Sequence, residues 1–156
     1  MIKEKYMVID LLLMCAILCL LEFASAVAIG FFPGEVYTLS CMLPITLISM
    51  MRWGKWGLVH AILGGAVYSI LYGGSIATLL VYTIGNAGTG LSLILFNLYG
   101  KDKIRSKKSL TILYCLMAFL GVSLLRGIIA CVLAGGMIID NCIRFLTTDA
   151  LSALIA

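Results

Sequence analysis

The stretch that decides the fold runs from Leu58 to Gly100 and reads LVHAILGGAVYSILYGGSIATLLVYTIGNAGTGLSLILFNLYG. It contains 43 residues and no Asp, Glu, Lys or Arg. As a single helix with a rise of about 1.5 Å per residue it would be about 65 Å long, whereas the hydrocarbon core of a bilayer is about 30 Å thick. The stretch is therefore predicted to form two membrane-crossing helices that fold back at Gly73-Gly74.

The composition of the whole chain has the same character. Of its 156 residues, 63% are hydrophobic and 12% are charged, and the mean hydropathy is +1.15. Soluble domains are closer to half apolar and a quarter charged. This balance argues against a soluble enzyme, a nucleic-acid-binding module, a disordered protein and a disulfide-stabilised mini-protein. We expect a single transmembrane helical domain over residues 1–156.

The apolar segments predict an all-α membrane protein, a bundle of six transmembrane helices. The predicted spans are Met7–Phe32, Val36–Met51, Gly57–Tyr72, Ser75–Tyr99, Leu110–Leu133 and Asn141 onward. A transmembrane barrel is not expected, because its strands alternate polar and apolar residues and these runs are apolar on every face. Only 16 residues follow from Asn141, about 24 Å of helix, so the last helix could be truncated.

The amino-terminal segment has some features of a signal peptide. Two lysines precede an apolar run, and Ala24-Ser25-Ala26 resembles a cleavage site. However, Glu22 interrupts the segment and the apolar run resumes through Phe32. We therefore expect the first helix to be retained. Its cleavage would leave five spans.

The basic residues predict the orientation. Nine of the eleven Lys and Arg residues precede the first span or lie in the turns after the second and fourth: Lys3, Lys5, Arg52, Lys55, Lys101, Lys103, Arg105, Lys107 and Lys108. The opposite turns, near Phe31–Glu35, Gly73–Ser75 and Ala134–Asp140, contain none. Positive charge is retained on the cytoplasmic side, so both termini are expected there. Basic turns that face anionic lipid account for the net charge of +4 without a nucleic-acid partner.

Nothing in the sequence indicates catalysis, a metal or a cofactor. The six cysteines form no CxxC pair, and His60 is the only histidine. Zinc and iron–sulfur sites need clustered soft ligands. Neither a Ser–His–Asp set nor a nucleotide-binding motif is apparent. We expect the cysteines and His60 to have packing roles, and the protein not to be an enzyme.

Polar residues inside the predicted spans are the main functional signal, because ionisable groups in the bilayer are costly and by default mark a site. From the helical rise, Glu22 lies about 22 Å and Arg126 about 24 Å above the cytoplasmic side, and Arg144 lies about 6 Å below the outer surface. Asn86 and Asp149 are deeper. These positions predict a polar pocket that opens outward. The alternative is that Glu22 pairs with Arg126 or Arg144 merely to neutralise a packing site.

Small residues on the first helix form a second pattern. Ala16, Ala24 and Ala28 are spaced by eight and four residues and share a stripe with Leu20. Such stripes allow helices to approach closely in lipid. The stripe predicts either a docking face for another membrane subunit or tight packing within this protein.

Several stretches together resemble a known family. They are Phe32–Tyr37, Leu43-Pro44, Met51–Gly57, Ile62–Gly65 and Thr148–Ser152. Their arrangement as loop, second helix, basic glycine-containing turn, glycine-rich third helix and last helix resembles the S components of energy-coupling factor (ECF) transporters. S components are the substrate-binding membrane subunits of these vitamin and micronutrient importers.

The resemblance implies a function. S components bind a vitamin or related micronutrient near the outer face of the bacterial plasma membrane, then associate with a membrane T component and two ATPase subunits. It implies the following binding residues: Glu35, Tyr37, Tyr82, Asn86, Arg126, Arg144 and Asp149. Arg126 and Arg144 would suit an anionic or carbonyl-bearing ligand, and Tyr82 could stack on a ring. Ala16, Ala24 and Ala28 would contact the T component.

Two other functions stay open at the sequence level. The chain could be a small scaffold subunit of a membrane complex, in which the polar groups only join helices. It could also be the membrane subunit of a prenyl-lipid enzyme.

Overall fold

The computed structural model describes residues 2–31 and 40–155. Within these ranges the chain forms α-helices and short 3-10 segments, with no strand. The α-helices are α1 (Ile2–Phe31), α2 (Met42–Trp53), α3 (Leu58–Leu71), α4 (Ile76–Asn86), α5 (Ile94–Tyr99), α6 (Lys101–Ser106), α7 (Lys108–Ala134), α8 (Ile138–Thr148) and α9 (Ala150–Ile155). The prediction of an all-α protein is confirmed.

Three helical segments are long and apolar enough to cross a membrane. They are Glu4–Ala28, Ile76–Tyr99 and Lys108–Ala134. The first and third lie within α1 and α7, and the second joins α4, the 3-10 segment Ala87–Leu93 and α5. These segments fit a multi-pass membrane protein. The helices at the other predicted spans are shorter: α2 has 12 residues, α3 has 14 and α8 has 11.

The predicted reversal at Gly73-Gly74 separates α3 from α4. Gly73 has a φ of 63°, a left-handed conformation that glycine adopts without a steric penalty. The Gly74 N–H donates to the Ser69 carbonyl at 2.8 Å, and Ser75 Oγ accepts from the Thr78 N–H at 3.2 Å to cap α4. A glycine turn followed by a serine cap explains why the apolar stretch folds back here.

The second helix begins later than predicted. The predicted span Val36–Met51 would have carried Pro44 in its middle, where the ring breaks the hydrogen-bond ladder. The structure starts α2 at Met42, after the non-helical Ser40 and Cys41, so Pro44 falls in the first turn and costs no backbone bond. The remainder of the predicted start, residues 36–39, lies outside the described residues.

The basic turn between the fourth and fifth predicted spans is partly helical. We expected a turn there, but α6 occupies Lys101–Ser106. Ile104 is completely buried in the cluster that contains Leu47 and Tyr114. Burial of this one apolar side chain holds α6 against α2 and α7 and leaves its charged neighbours at the surface.

Helix α7 packs against α8 and against the segment Ile76–Leu93. The two backbones approach closely at Gly88 and Gly121, where a Cβ on either residue would overlap the carbonyl oxygen of the other. Backbone contact of this kind needs glycine on both helices. It brings the carboxyl-terminal end of α4 against the middle of α7, where the polar residues lie.

Candidate functional site

The candidate site is built around Arg126 of α7, whose side chain is only 5% exposed. Its Nε and Nη2 donate to Asn86 Oδ1 at 2.8 and 2.5 Å, and its Nη1 donates to Asp149 Oδ2. The guanidinium lies over the ring of Tyr82, 4.5 Å from the centroid, and 5.9 Å from that of Phe145. We call Tyr82, Asn86, Arg126 and Asp149 the arginine cluster.

Four parts of the chain position the arginine cluster. Asn86 is the last residue of α4, and its Nδ2 donates to the Ala61 carbonyl of α3 at 2.9 Å. Asp149 occupies the junction between α8 and α9. Gly85 is needed because a Cβ there would overlap the Arg126 side chain. The cluster therefore joins α3, α4 and α7 to the carboxyl-terminal helices.

The ion pair with Asp149 offsets the free-energy cost of burying the Arg126 guanidinium. An isolated buried charge costs several kcal/mol, whereas the ion pair with Asp149 is neutral overall. Of the five guanidinium N–H groups, three donate to Asn86 and Asp149, which leaves two without an acceptor among the described residues. These two donors can serve a ligand oxygen.

Glu22 lies on α1 and is fully buried. Ser40 Oγ donates to its Oε1 at 2.6 Å, and the backbone N–H groups of Cys41 and Met42 lie near the carboxylate. Its Oε2 has no hydrogen-bond partner in the described part of the chain. Glu22 forms no ion pair with Arg126 or Arg144 in the described part of the chain, which was the alternative to a pocket. Asp149 occupies the position beside Arg126 instead.

A cavity of about 400 Å³ adjoins the arginine cluster. Its wall includes Tyr68, Tyr82, Arg144, Phe145 and Thr148. The rings of Tyr68 and Tyr82 are 4.6 Å apart, and the Tyr82 and Phe145 rings meet edge to face at 6.2 Å. We call this space the aromatic cavity. Because Tyr82 and Phe145 also face the guanidinium, they separate the cavity from Arg126.

The aromatic cavity lies at the end of the bundle that carries the Gly73-Gly74 turn, since Ser75 and Ala134 also line it. Two much smaller cavities, about 10 and 20 Å³, touch Arg126 and Asp149 together with Ser40. Each has room for about one water molecule. The larger cavity is thus the space of ligand size next to the cluster.

The structure brings together four of the seven predicted binding residues, namely those of the arginine cluster. Arg144 is exposed on α8 and lines the aromatic cavity instead of joining the cluster. Glu35 and Tyr37 lie outside the described residues. The predicted docking residues Ala16, Ala24 and Ala28 are exposed on α1, on the face that also carries Leu20.

Sequence reasoning missed Phe145, Tyr68 and Ser40. Phe145 precedes Asp149 by four residues, so helical spacing could have placed both on one face. Tyr68 had no comparable signal, because its contact with Tyr82 depends on how α3 packs against α4. Ser40 reaches Glu22 only through the path of the chain before α2.

His60 has the packing contacts that a structural role requires. It is fully buried on α3, and its ring nitrogens lie 3.2 Å from the Gly57 carbonyl and 3.0 Å from the Leu11 carbonyl. It thus ties α3 to α1. No group of three or more His, Cys, Asp or Glu side chains suited to a metal ion occurs among the described residues.

The chain matches no protein-family model, and comparison with curated proteins and with solved structures finds no significant match.

Proposed function

We propose that this protein is the substrate-binding subunit of an ECF-type importer. It captures a vitamin or related micronutrient outside the cell, and separate T and ATPase subunits drive uptake. The observation that carries the proposal is a cavity of about 400 Å³ whose wall includes Tyr82 and Phe145, the two rings that face the buried guanidinium of Arg126. A cavity in the range of about 300–1,000 Å³ is typical of sites for small organic molecules.

The chemistry of the site favours a flat ring with an oxygen acceptor. The Tyr68, Tyr82 and Phe145 rings provide aromatic surface at the inner wall of the cavity. Arg144 is exposed on the same wall and supplies a forked donor for a carboxylate or carbonyl. Tyr82 and Phe145 lie between the cavity and Arg126, so a ligand in the cavity contacts these rings before the guanidinium.

The proposal includes six membrane spans with both termini on the cytoplasmic side of a bacterial plasma membrane. The helices α2, α3 and α8–α9 would add three short spans to the three long segments. Arg52, Lys101 and Arg105 lie together at one end of the bundle, whereas the aromatic cavity lies at the end with the Gly73-Gly74 turn. The positive-inside rule then directs the cavity outward.

The exposed stripe of α1 supports contact with a T component. Ala16, Ala24 and Ala28 are exposed, and Leu20 between them is 69% exposed. Small residues on a lipid-facing stripe permit another helix to approach closely. Substitution of Ala24 by Leu should therefore prevent co-purification with the T component and ATPases without changing ligand binding.

The decisive experiment is ligand-induced thermal stabilisation of the purified protein in detergent, screened against a panel of vitamins. At a ligand concentration of about 100 Kd, binding stabilises the folded state by about 2.7 kcal/mol. Ala77→Trp places an indole in the aromatic cavity and should abolish the shift. Val132→Trp is the matched control, because Val132 is 79% exposed on α7 and does not line the cavity.

Arg126→Lys tests the role of the cluster. It keeps the charge and loses the fork, so the thermal shift should fall while the unliganded protein stays folded. A shift that persists in both Ala77→Trp and Arg126→Lys would place the ligand elsewhere. Absence of a shift for every compound in the panel would remove the support for an importer subunit.

A scaffold subunit is the second candidate, favoured by the internal pairing of Arg126 with Asn86 and Asp149. Under that function the cluster joins α4, α7 and the α8–α9 junction and takes no ligand. Arg126→Lys would then lower stability without changing the response to any vitamin. Co-purification with membrane proteins but without ATPases would favour the scaffold.

A further inference from the structure

A second cavity, at the opposite end of the molecule, is not used by the proposed function. It has a volume of about 620 Å³ and lies between α2, α6 and α7. Its wall combines apolar side chains, including Leu47, Ile48 and Met51, with the cations Arg52, Lys101 and Arg105. We call it the basic groove. We propose that the basic groove binds an anionic phospholipid with a single phosphodiester charge.

The depth of the basic groove suits a lipid headgroup. The membrane-crossing segment Ile76–Tyr99 ends just before Lys101, and the segment Lys108–Ala134 begins just after α6. Helix α6 therefore lies where two long apolar segments leave the hydrocarbon, which is the level of the lipid phosphates. This placement holds whichever side of the membrane the groove faces, so the inference does not depend on the proposed function.

The charges of the basic groove match one phosphodiester. Asp102 also lines the groove, and Asp10 holds Arg52 through an ion pair of 2.9 Å. Three cations against these two carboxylates leave one net positive charge. Within the described part of the chain Lys101 and Arg105 have no ion-pair partner, so their donors are available to phosphate oxygens.

The apolar wall decides between a lipid and a free anion. Ile48 is 52% exposed, and Leu47 and Tyr114 close the inner side, where Tyr114 Oη donates to the Leu47 carbonyl at 3.2 Å. A water-soluble phosphate would leave this wall in contact with water. An acyl chain covers Ile48 and the rest of this wall, so the groove fits an amphiphile.

Native mass spectrometry of the whole protein in detergent tests the proposal. Dioleoyl-phosphatidylglycerol and dioleoyl-phosphatidylcholine are supplied in equal amounts, so that only the headgroup charge differs. We expect one retained phosphatidylglycerol in clear preference to phosphatidylcholine. Lys101→Gln combined with Arg105→Gln should lower that preference by about tenfold or more. Equal retention of the two lipids by the unaltered protein would overturn the proposal.

Three further arms separate a lipid site from general surface charge and from a site for a free anion. Lys107→Gln combined with Lys108→Gln removes two exposed cations of the same region that do not line the groove, and the preference should persist. An equal loss in both double variants would show nonspecific attraction and overturn the proposal.

Ile48→Trp fills the apolar side without changing charge and should reduce retention. If sn-glycerol 3-phosphate displaces the lipid at millimolar concentration, the site recognises a free anion and the lipid assignment is wrong.

Discussion

The arginine cluster and the basic groove use cations in opposite ways. Arg126 is buried, paired with Asp149 and hydrogen-bonded to Asn86. Lys101 is partly exposed and Arg105 is exposed, and neither has an ion-pair partner among the described residues. The first arrangement is costly to break, because removal of one partner leaves a charge in a medium that solvates it poorly. The second leaves its charges solvated and available to an external anion. Burial, rather than residue type, thus determines which cations the fold depends on.

The largest expected effect is at the buried ion pair. Asp149→Ala leaves Arg126 buried without its carboxylate and should lower the free energy of unfolding by about 3 kcal/mol. The measurement is denaturant-induced unfolding in detergent. Asp140 is exposed on α8, so Asp140→Ala is the matched control and should change the free energy of unfolding little. The double variant Arg126→Met with Asp149→Leu should recover part of the loss, and a loss as large as in Asp149→Ala would contradict the pairing as its cause.

The next effect concerns the neutral member of the same cluster. Asn86→Ala removes the acceptor for Nε and Nη2 of Arg126 and the donor to the Ala61 carbonyl. Unfolding free energy should fall by about 2 kcal/mol, because buried donors and an acceptor lose their partners. Asn97→Ala, at an exposed position of α5, serves as the control. Equal melting temperatures for the two variants would show that Asn86 is not a connecting residue.

At the end with the basic groove a smaller effect is expected from Asp10. Its carboxylate pairs with Arg52 at 2.9 Å and accepts from Trp53 Nε1 at 2.5 Å, which joins α1 to the end of α2. Arg52 is half exposed, so Asp10→Asn should cost only about 1 kcal/mol. Thermal unfolding of both proteins at low and at high salt measures this loss of stability. A loss as great as that of Asp149→Ala would abolish the contrast between the two ends.

The smallest effect is expected for the cations of the groove. Lys101→Gln with Arg105→Gln should change the unfolding free energy by less than about 0.5 kcal/mol in detergent free of anionic lipid. Addition of phosphatidylglycerol should then raise the melting temperature of the unaltered protein more than that of the double variant. A large loss of stability without lipid would mean that these cations serve the fold instead of a ligand.

The helical character of the chain and its reversal at Gly73-Gly74 could be predicted from local sequence, because both follow from hydropathy and from the backbone freedom of glycine. The same reasoning placed Arg126 in the outer third of the membrane and Asn86 and Asp149 deeper, whereas the structure brings the three side chains into contact. It did not predict which charges pair. Glu22 and Asp149 are both carboxylates at reachable depth, and only the packing of α7 against the α8–α9 junction places Asp149 beside Arg126.

Two further differences have local explanations. The start of α2 at Met42 follows from Pro44, which tolerates only the first turn of a helix. The helix α6 depends on the burial of Ile104 against α2 and α7, a contact between residues far apart in sequence. Its run of charged residues suggested only a turn.

By itself, the sequence determined that this chain is α-helical and apolar enough for a membrane. It also determined which polar residues the apolar segments carry. These properties depend on each segment alone, since hydropathy and helical rise act locally. The tertiary structure decided that Arg126 pairs with Asp149 and that aromatic rings from α3, α4 and α8 line one cavity. It also decided that Lys101 and Arg105, which have no ion-pair partner in the described part of the chain, border an apolar groove at the other end. Those outcomes depend on helix crossings such as Gly88 against Gly121, where distant backbones come into contact and set which side chains can meet.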